Sequence, residues 1–320
     1  MPMFNIMENV QDDSQYPNIK HLVISGGGTF GFLAYGALRE TCKAGFWKRE
    51  NIQSIHTVSV GGMIATMLLL DYDWETMDDY LIKRPWNKVF HYDVQTIFNA
   101  FENRGLFDNN MIIDIMKPLL LGKDVDLDIT LKQFYEKTHI DLHLYATETT
   151  AFELVSLSHT THPDWKLLDA MYASAGLPVF ASPYIVGDKS YIDGSVFLNY
   201  PLKQCLNKEG VLEEEVFGVQ KESIYTTSNE ISNTSNLLDY ILILLDKVLA
   251  RINQDSENNG LIQHEMIIRS SPICATDLYQ FSILEECRKN GIEEGVVFGR
   301  QFLANYKEKG GALPIVEPDL

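Results

Sequence analysis

Short apolar runs alternate with longer amphipathic stretches along the chain, and glycine or proline marks most of the joins. Ile19-Lys20-His21-Leu22-Val23-Ile24 predicts a short buried strand, and Leu33 to Ala44 a helix closed by Gly45. A second apolar run, Ile52 to Val58, meets Ser59. Gly61 and Gly62 then lead into Met63 to Leu70, which predicts strand, sharp turn and helix with the serine at the turn. Asp71 to Tyr80 is acidic and reads as helix or loop. Leu81 to Asn110 carries Trp86, Phe90, Tyr92, Phe98, Phe101 and Phe107 at irregular spacing, with Pro85 and Gly105 between them. That pattern predicts short helices rimming a cleft suited to acyl chains, with ordinary core aromatics as the competing reading.

Met111 to Leu121 and Thr130 to Lys137 predict helices. His139 to Thr147 predicts a strand whose hairpin return is Phe152 to Ser158. Trp165 to Ala173 predicts a helix stopped by Gly176 and Pro178. Ile185-Val186 and Ser190-Tyr191-Ile192 form a hairpin around Gly187-Asp188, broken by Asp193-Gly194-Ser195. Beyond it, Val216 to Val219 reads as the last sheet strand and Lys221 to Ser235 as a linker. Leu237 to Arg251 reads as a helix with a broad apolar face, which either packs on the core or lies on a membrane. Asp255 to Gly260 reads as polar loop and His264 to Arg269 as an edge strand. Phe281 to Lys289 and Glu294 to Lys307 read as helices around Gly291, with a loose end at Gly310-Gly311 and Pro314.

Composition narrows the functions open to this chain. Its 320 residues allow one large α/β domain or two small ones. A net charge of −18 argues against nucleic-acid partners and against electrostatic adsorption on anionic membranes, but not against apolar contact with lipid. Residues 1–18 read as a tail, Met1 to Gln15 is polar and acidic and lacks a signal-peptide core, and no apolar run reaches membrane-spanning length, so a soluble cytoplasmic protein is expected. Cys42, Cys205, Cys274 and Cys287 are widely spaced and read as free thiols. His139, His143, His159 and His162 have no acidic or cysteine partner at zinc-site spacing and are expected at the surface.

Two loops carry chemistry. A serine between a strand and a helix projects its hydroxyl outward, with helix-dipole amides behind it, as at a nucleophile elbow. The bland alternative is a serine that caps the helix. Gly26, Gly27, Gly28 and Gly31, between the first strand and its helix, fit the dinucleotide pattern G-x-G-x-x-G. The second strand, however, ends Thr57-Val58-Ser59 without the carboxylate that would hold a ribose. Bare glycine amides also suit an oxyanion, and that reading is preferred over nucleotide binding. Asp193, at a strand end before Gly194, is placed to act as a base.

Together these blocks resemble the patatin-like phospholipase family. Ser174-Ala175-Gly176-Leu177-Pro178-Val179-Phe180-Ala181-Ser182-Pro183 is similar to that family's small-residue segment. Asp193-Gly194-Ser195-Val196-Phe197-Leu198-Asn199-Tyr200-Pro201 is similar to its Asp-Gly block. Gly105-Leu106-Phe107-Asp108 and Tyr145-Ala146-Thr147 also fall in order. The resemblance implies a three-layer α/β/α sandwich with a mixed central sheet over residues 19–220, followed by a linker and helical extension over 221–320 packed on the same domain. It implies a Ser59–Asp193 dyad, with Gly26, Gly27 and Gly28 as oxyanion donors and Gly31, Gly61, Gly62 and Gly194 in support. No metal or organic cofactor is implied. The substrate would be a phospholipid or other acyl-glycerolipid, reached through transient membrane contact. A Ser59–Asp193–His264 triad is the rival arrangement.

Three positions depart from the family pattern: Thr57 replaces the first elbow glycine, Ser25 and Phe30 replace an aspartate and an arginine of the glycine loop, and Ser195 follows Gly194. The β-branched Thr57 is expected to crowd the elbow. The alternative function is therefore a catalytically weak or inactive lipid-binding protein.

Overall fold

The computed structural model describes residues 16–91, 94–226, 231–233, 235–253 and 262–308. Most of the amino-terminal tail, Tyr92, part of the segment read as a linker, the loop predicted over Asp255 to Gly260 and the loose end at Gly310-Gly311 and Pro314 lie outside the described residues.

The strands are β1 (His21–Ile24), β2 (Ser54–Val58), β3 (Gly105–Phe107), β4 (Asp141–Glu148), β5 (Glu153–Leu157), β6 (Val179–Ala181), β7 (Tyr184–Val186), β8 (Lys189–Asp193), β9 (Val216–Ser223) and β10 (His264–Ser270). The helices are α1 (Phe30–Lys43), α2 (Val60–Leu69), α3 (Trp74–Lys83), α4 (Val94–Asn103), α5 (Asn110–Leu121), α6 (Leu131–Thr138), α7 (Leu167–Ala175), α8 (Leu202–Leu206), α9 (Leu237–Asn253), α10 (Ala275–Ile283) and α11 (Glu285–Glu308).

The main sheet runs β10-β9-β1-β2-β4-β8-β7, with β5 paired to β4. Its first five strands are parallel, and β5, β7 and β8 make it mixed. All four residues of β1 are buried, because both sheet faces are covered. Alternate side chains go to separate cores: Leu22 and Ile24 to the large one, Val23 to a smaller one with Tyr200, Leu202, Cys205 and Val216. This is the α/β layering with a mixed sheet expected from the sequence.

Several elements differ from the sequence reading. Val216 to Val219 is not the last strand, since β9 continues to Ser223 and lies inside the sheet, with β10 at its edge. Lys221 therefore begins no linker; it is a buried strand residue. Gly291 does not divide two helices but sits within α11. A Cβ there would meet Phe32 Cβ at 3.2 Å, so the glycine serves a close crossing of α11 over α1. Gly295 does the same more strictly, since its Cβ would lie 2.1 Å from the Leu33 carbonyl oxygen.

The histidines also differ. His143 is fully buried, because its strand is covered on both faces. Its ring stacks on His56 at 4.4 Å and bonds Asp141 at 2.8 Å and Ser156 at 3.0 Å. His139 is instead the left-handed C-cap of α6, and His159 pairs with Asp141 at 3.0 Å. Among the described residues no group of side chains is arranged to hold a metal ion.

Candidate active site

Parallel strands β1 and β2 end together, and the two motif loops leave from those ends. This is the carboxyl edge where open α/β sheets place ligands. Ser59 sits between β2 and α2 with φ 56° and ψ −130°. Left-handed backbone at a non-glycine residue is strained and marks a held conformation. The serine occupies the N-cap position of α2, yet its side chain makes no capping bond, which removes the bland alternative. Its N–H donates to Ser174 Oγ at 3.1 Å, and Ser174 donates in turn to the Tyr145 carbonyl at 2.7 Å. These bonds tie the elbow to α7 and β4.

Asp193, the last residue of β8, is buried. Its backbone is fixed by an N–H bond to the Gly176 carbonyl at 3.0 Å and by Thr147 Oγ1 donating to its carbonyl at 2.9 Å. The carboxylate accepts the Ser195 N–H at 2.8 Å and lines the same cavity as Ser59. Burial raises its pKa above the usual carboxylate range, and the Ser195 N–H and nearby serine hydroxyls oppose that rise. Gly194 makes the approach possible, since a Cβ there would lie 2.3 Å from the Tyr145 carbonyl oxygen. The two residues, far apart in sequence, therefore line one cavity.

The glycine loop divides its labour. The Gly26 N–H donates to the Asn199 carbonyl at 3.3 Å, so it is not a bare donor as expected. Its role is space: a Cβ at position 26 would lie 3.0 Å from Ser59 Cβ. Gly27 (φ 147°) and Gly28 (φ 60°) adopt conformations that favour glycine. Their amides follow β1 beside the site, and their carbonyls begin the first turn toward α1. Gly31 admits Val60, whose Cγ2 would lie 2.5 Å from a Cβ at position 31.

Thr57 packs against the first turn of α2. It is fully buried, and its Oγ1 fills the space above Gly61, where a Cβ would meet it at 2.1 Å. The glycine that remains at position 61 thus accommodates the threonine at 57. Gly62 similarly leaves room for Leu144, whose Cδ2 would be 2.7 Å from an added Cβ.

His264 has no part in this site. It begins β10 and aligns through Phe217 and Leu22 with Ile55, four residues before Ser59 and three strands across. Four residues of strand are about 13 Å. Its ring instead packs against Phe46 and Tyr306, and burial lowers its pKa to about 4.

Ser59 and Asp193 open into a cavity of about 380 Å³, mainly apolar in its lining, within the size range of lipid-sized ligand sites. Trp86 and Phe90 line it as the aromatic pattern suggested. Phe98 and Phe101 do not; they are exposed on α4. The sequence reading missed the roof: Lys221 and Tyr225, Leu242, Asp246, Leu249 and Asn253 of α9, and Leu278 and Phe281 of α10. The stem of Lys221 lies over Gly27, and its ammonium pairs with Asp246 at 3.4 Å. The apolar period of Leu237 to Arg251 signalled α9, but placing Lys221 in a linker hid what α9 covers.

A strained serine at a strand–helix elbow, a buried strand-end aspartate and a glycine loop thus line one cavity at one end of an α/β sheet. The family model of patatin-like phospholipases matches residues 22–206, and the chain belongs to that family of lipid hydrolases. It is 25% identical over 269 residues to the probable lipid hydrolase 463L of Invertebrate iridescent virus 6, covering 79% of this chain and 91% of that protein. It is 26% identical over 238 residues to triacylglycerol lipase 4 of Saccharomyces cerevisiae, covering 62% of this chain but only 25% of the yeast protein. The fold is similar to that of VipD from Legionella pneumophila, with a TM-score of 0.53 and 17% identity over 90% of this chain and 67% of that one.

Proposed function

We propose that this protein hydrolyses fatty acyl esters of glycerolipids, as a phospholipase A-type serine esterase working through Ser59 and Asp193. The observation that carries this reading is that Ser59, strained at its elbow, and the buried Asp193 line one mainly apolar cavity beside the glycine loop.

In this scheme Asp193 accepts the hydroxyl proton as Ser59 Oγ attacks the ester carbonyl carbon. The carbonyl electron pair moves to oxygen, and the amides of Gly27 and Gly28 stabilise the resulting oxyanion. Collapse of the tetrahedral intermediate breaks the bond to the glycerol oxygen, which takes the proton from Asp193 and leaves as the alcohol. Water then attacks the acyl-serine, giving its proton to Asp193. The second collapse returns that proton to Ser59 and frees the fatty acid. A carboxylate is a weaker base than imidazole, and the raised pKa of Asp193 narrows the gap to the serine hydroxyl.

The test is hydrolysis of a short-chain ester and of a panel of phospholipids and acylglycerols. Ser59→Ala and Asp193→Asn are each expected to lower kcat by on the order of 10³-fold or more with the fold intact. Equal rates in all three proteins would reject the assignment. Because only the ionised aspartate accepts the proton, activity is expected to fall with decreasing pH at a midpoint above 3.8, the ordinary aspartate value.

A further inference from the structure

Helix α9 has two apolar faces. The inner one, with Leu242 and Leu249, roofs the cavity that holds Ser59. The outer one exposes Leu237, Tyr240, Leu244, Val248 and Ile252, spaced three or four residues apart, so they form one stripe along the helix. A 17-residue helix makes that stripe about 25 Å long. Water-exposed apolar surface of this regularity marks an interaction face.

Helix α9 carries two carboxylates and two cations. Both carboxylates turn to the protein. Asp239 accepts the Ala275 N–H at 2.8 Å and the Thr276 N–H at 3.1 Å, at the start of α10. Asp246 accepts Tyr225 Oη at 2.7 Å and pairs with Lys221. The remaining charged residues of α9, Lys247 and Arg251, are cations, in a chain whose net charge is −18, and the Lys247 ammonium lies 4.9 Å from the centre of the Tyr225 ring. At its far end Asn253 donates to the Ser195 carbonyl at 3.0 Å. An apolar stripe flanked by cations, on the helix that roofs an apolar cavity, complements a surface of lipid phosphates over acyl chains. Among the described residues no helix is long and apolar enough to cross a membrane, so α9 suits lying in the interface.

We propose that the outer stripe of α9 docks this protein flat on a phospholipid surface, which sets the cavity roofed by the same helix against the lipid. The role of docking in substrate supply rests on the hydrolase reading, whereas the docking itself is read separately. The experiment uses the full chain carrying Ser59→Ala, so that binding is measured without turnover, and phosphatidylcholine vesicles in a co-sedimentation assay. Adding Leu244→Glu and Val248→Glu is expected to lower vesicle partitioning at least tenfold. Thermal unfolding should stay unchanged, because both side chains are exposed. Leu244→Trp is expected to retain binding and to shift its emission to the blue on vesicle addition.

Equal partitioning with and without the glutamates, or no blue shift, would overturn the proposal. So would self-association without lipid that the two glutamates abolish, since the stripe would then face a second copy. Vesicle binding by the Ser59→Ala protein, with no ester hydrolysis by the Ser59 form, would leave docking standing and remove the hydrolase reading. Hydrolysis without stripe-dependent binding would do the reverse.

Discussion

Helices α11 and α9 both follow the family-matched region, and they attach to it in opposite ways. Helix α11 is seated by close backbone contact: Gly295 lies against the Leu33 carbonyl, Ile292 against Gly36, and Phe302 is buried beneath it. Helix α9 buries Leu242, Ile243 and Leu249 toward the protein and is tied down by polar contacts at Asp239, Asp246 and Asn253, while its other face meets solvent with apolar side chains. Close packing tolerates little change in volume, whereas polar attachments fail one at a time. The first helix therefore completes the core, and the second covers the site and faces outward.

The strongest way to break this contrast is Gly295→Leu. The added side chain would run into a backbone carbonyl that cannot rotate away, and a loss of about 3 kcal/mol or more is expected in denaturant titration. Acid provides the next test on the α11 side. His264 packs beside Tyr306 of α11, and burial holds its pKa at about 4 against 6.5 for the free side chain. The unfolded chain thus takes up a proton below pH 6.5 that the folded chain refuses. Stability is complete above pH 6.5 and lost as pH falls toward 4, with a slope of at most about 1.4 kcal/mol per pH unit for this one group. His264→Phe should flatten that part of the melting-temperature profile, while His56, also lowered by burial, keeps some acid sensitivity.

A smaller effect is expected on the α9 side from Tyr225→Phe, which removes the hydrogen bond to Asp246. A bond to a charged group contributes about 1.5 kcal/mol or more, and the loss should appear in hydrogen exchange of α9 before it appears in global unfolding. Smallest of all is Leu244→Ser, expected within about 0.5 kcal/mol of wild type because the side chain is exposed. A large destabilisation by Leu244→Ser would mean that the outer stripe is packed after all.

The sequence was most legible where local chemistry is restrictive. A strand running into Ser59 with glycines behind it has few realisations, and Asp193-Gly194 at a strand end is equally constrained. The elbow, the hairpin of β7 and β8 and the edge position of β10 followed from such signals. Long-range packing left weaker traces. Gly291 looked like a helix break because glycine ends helices more often than it seats them, and only the neighbouring Phe32 shows which applies. His143 looked exposed because polarity was weighed without the second covering layer. Lys221 looked like the start of a linker because the polar run after it masked a strand continuing to Ser223. Gly26 was grouped with its neighbours as a donor, yet its amide is already taken by Asn199, a partner no local pattern reveals.

Thr57 and Gly61 carry a lesson for recognising distant relatives. The volume that the usual elbow leaves empty at its first glycine is here filled by a methyl and a hydroxyl, and the vacancy needed to fit them is supplied one helical turn later. The motif is in this sense a shared allowance of space rather than a fixed string of letters. A chain without the first glycine should be judged by whether position 61's counterpart is bare before its serine is declared silent.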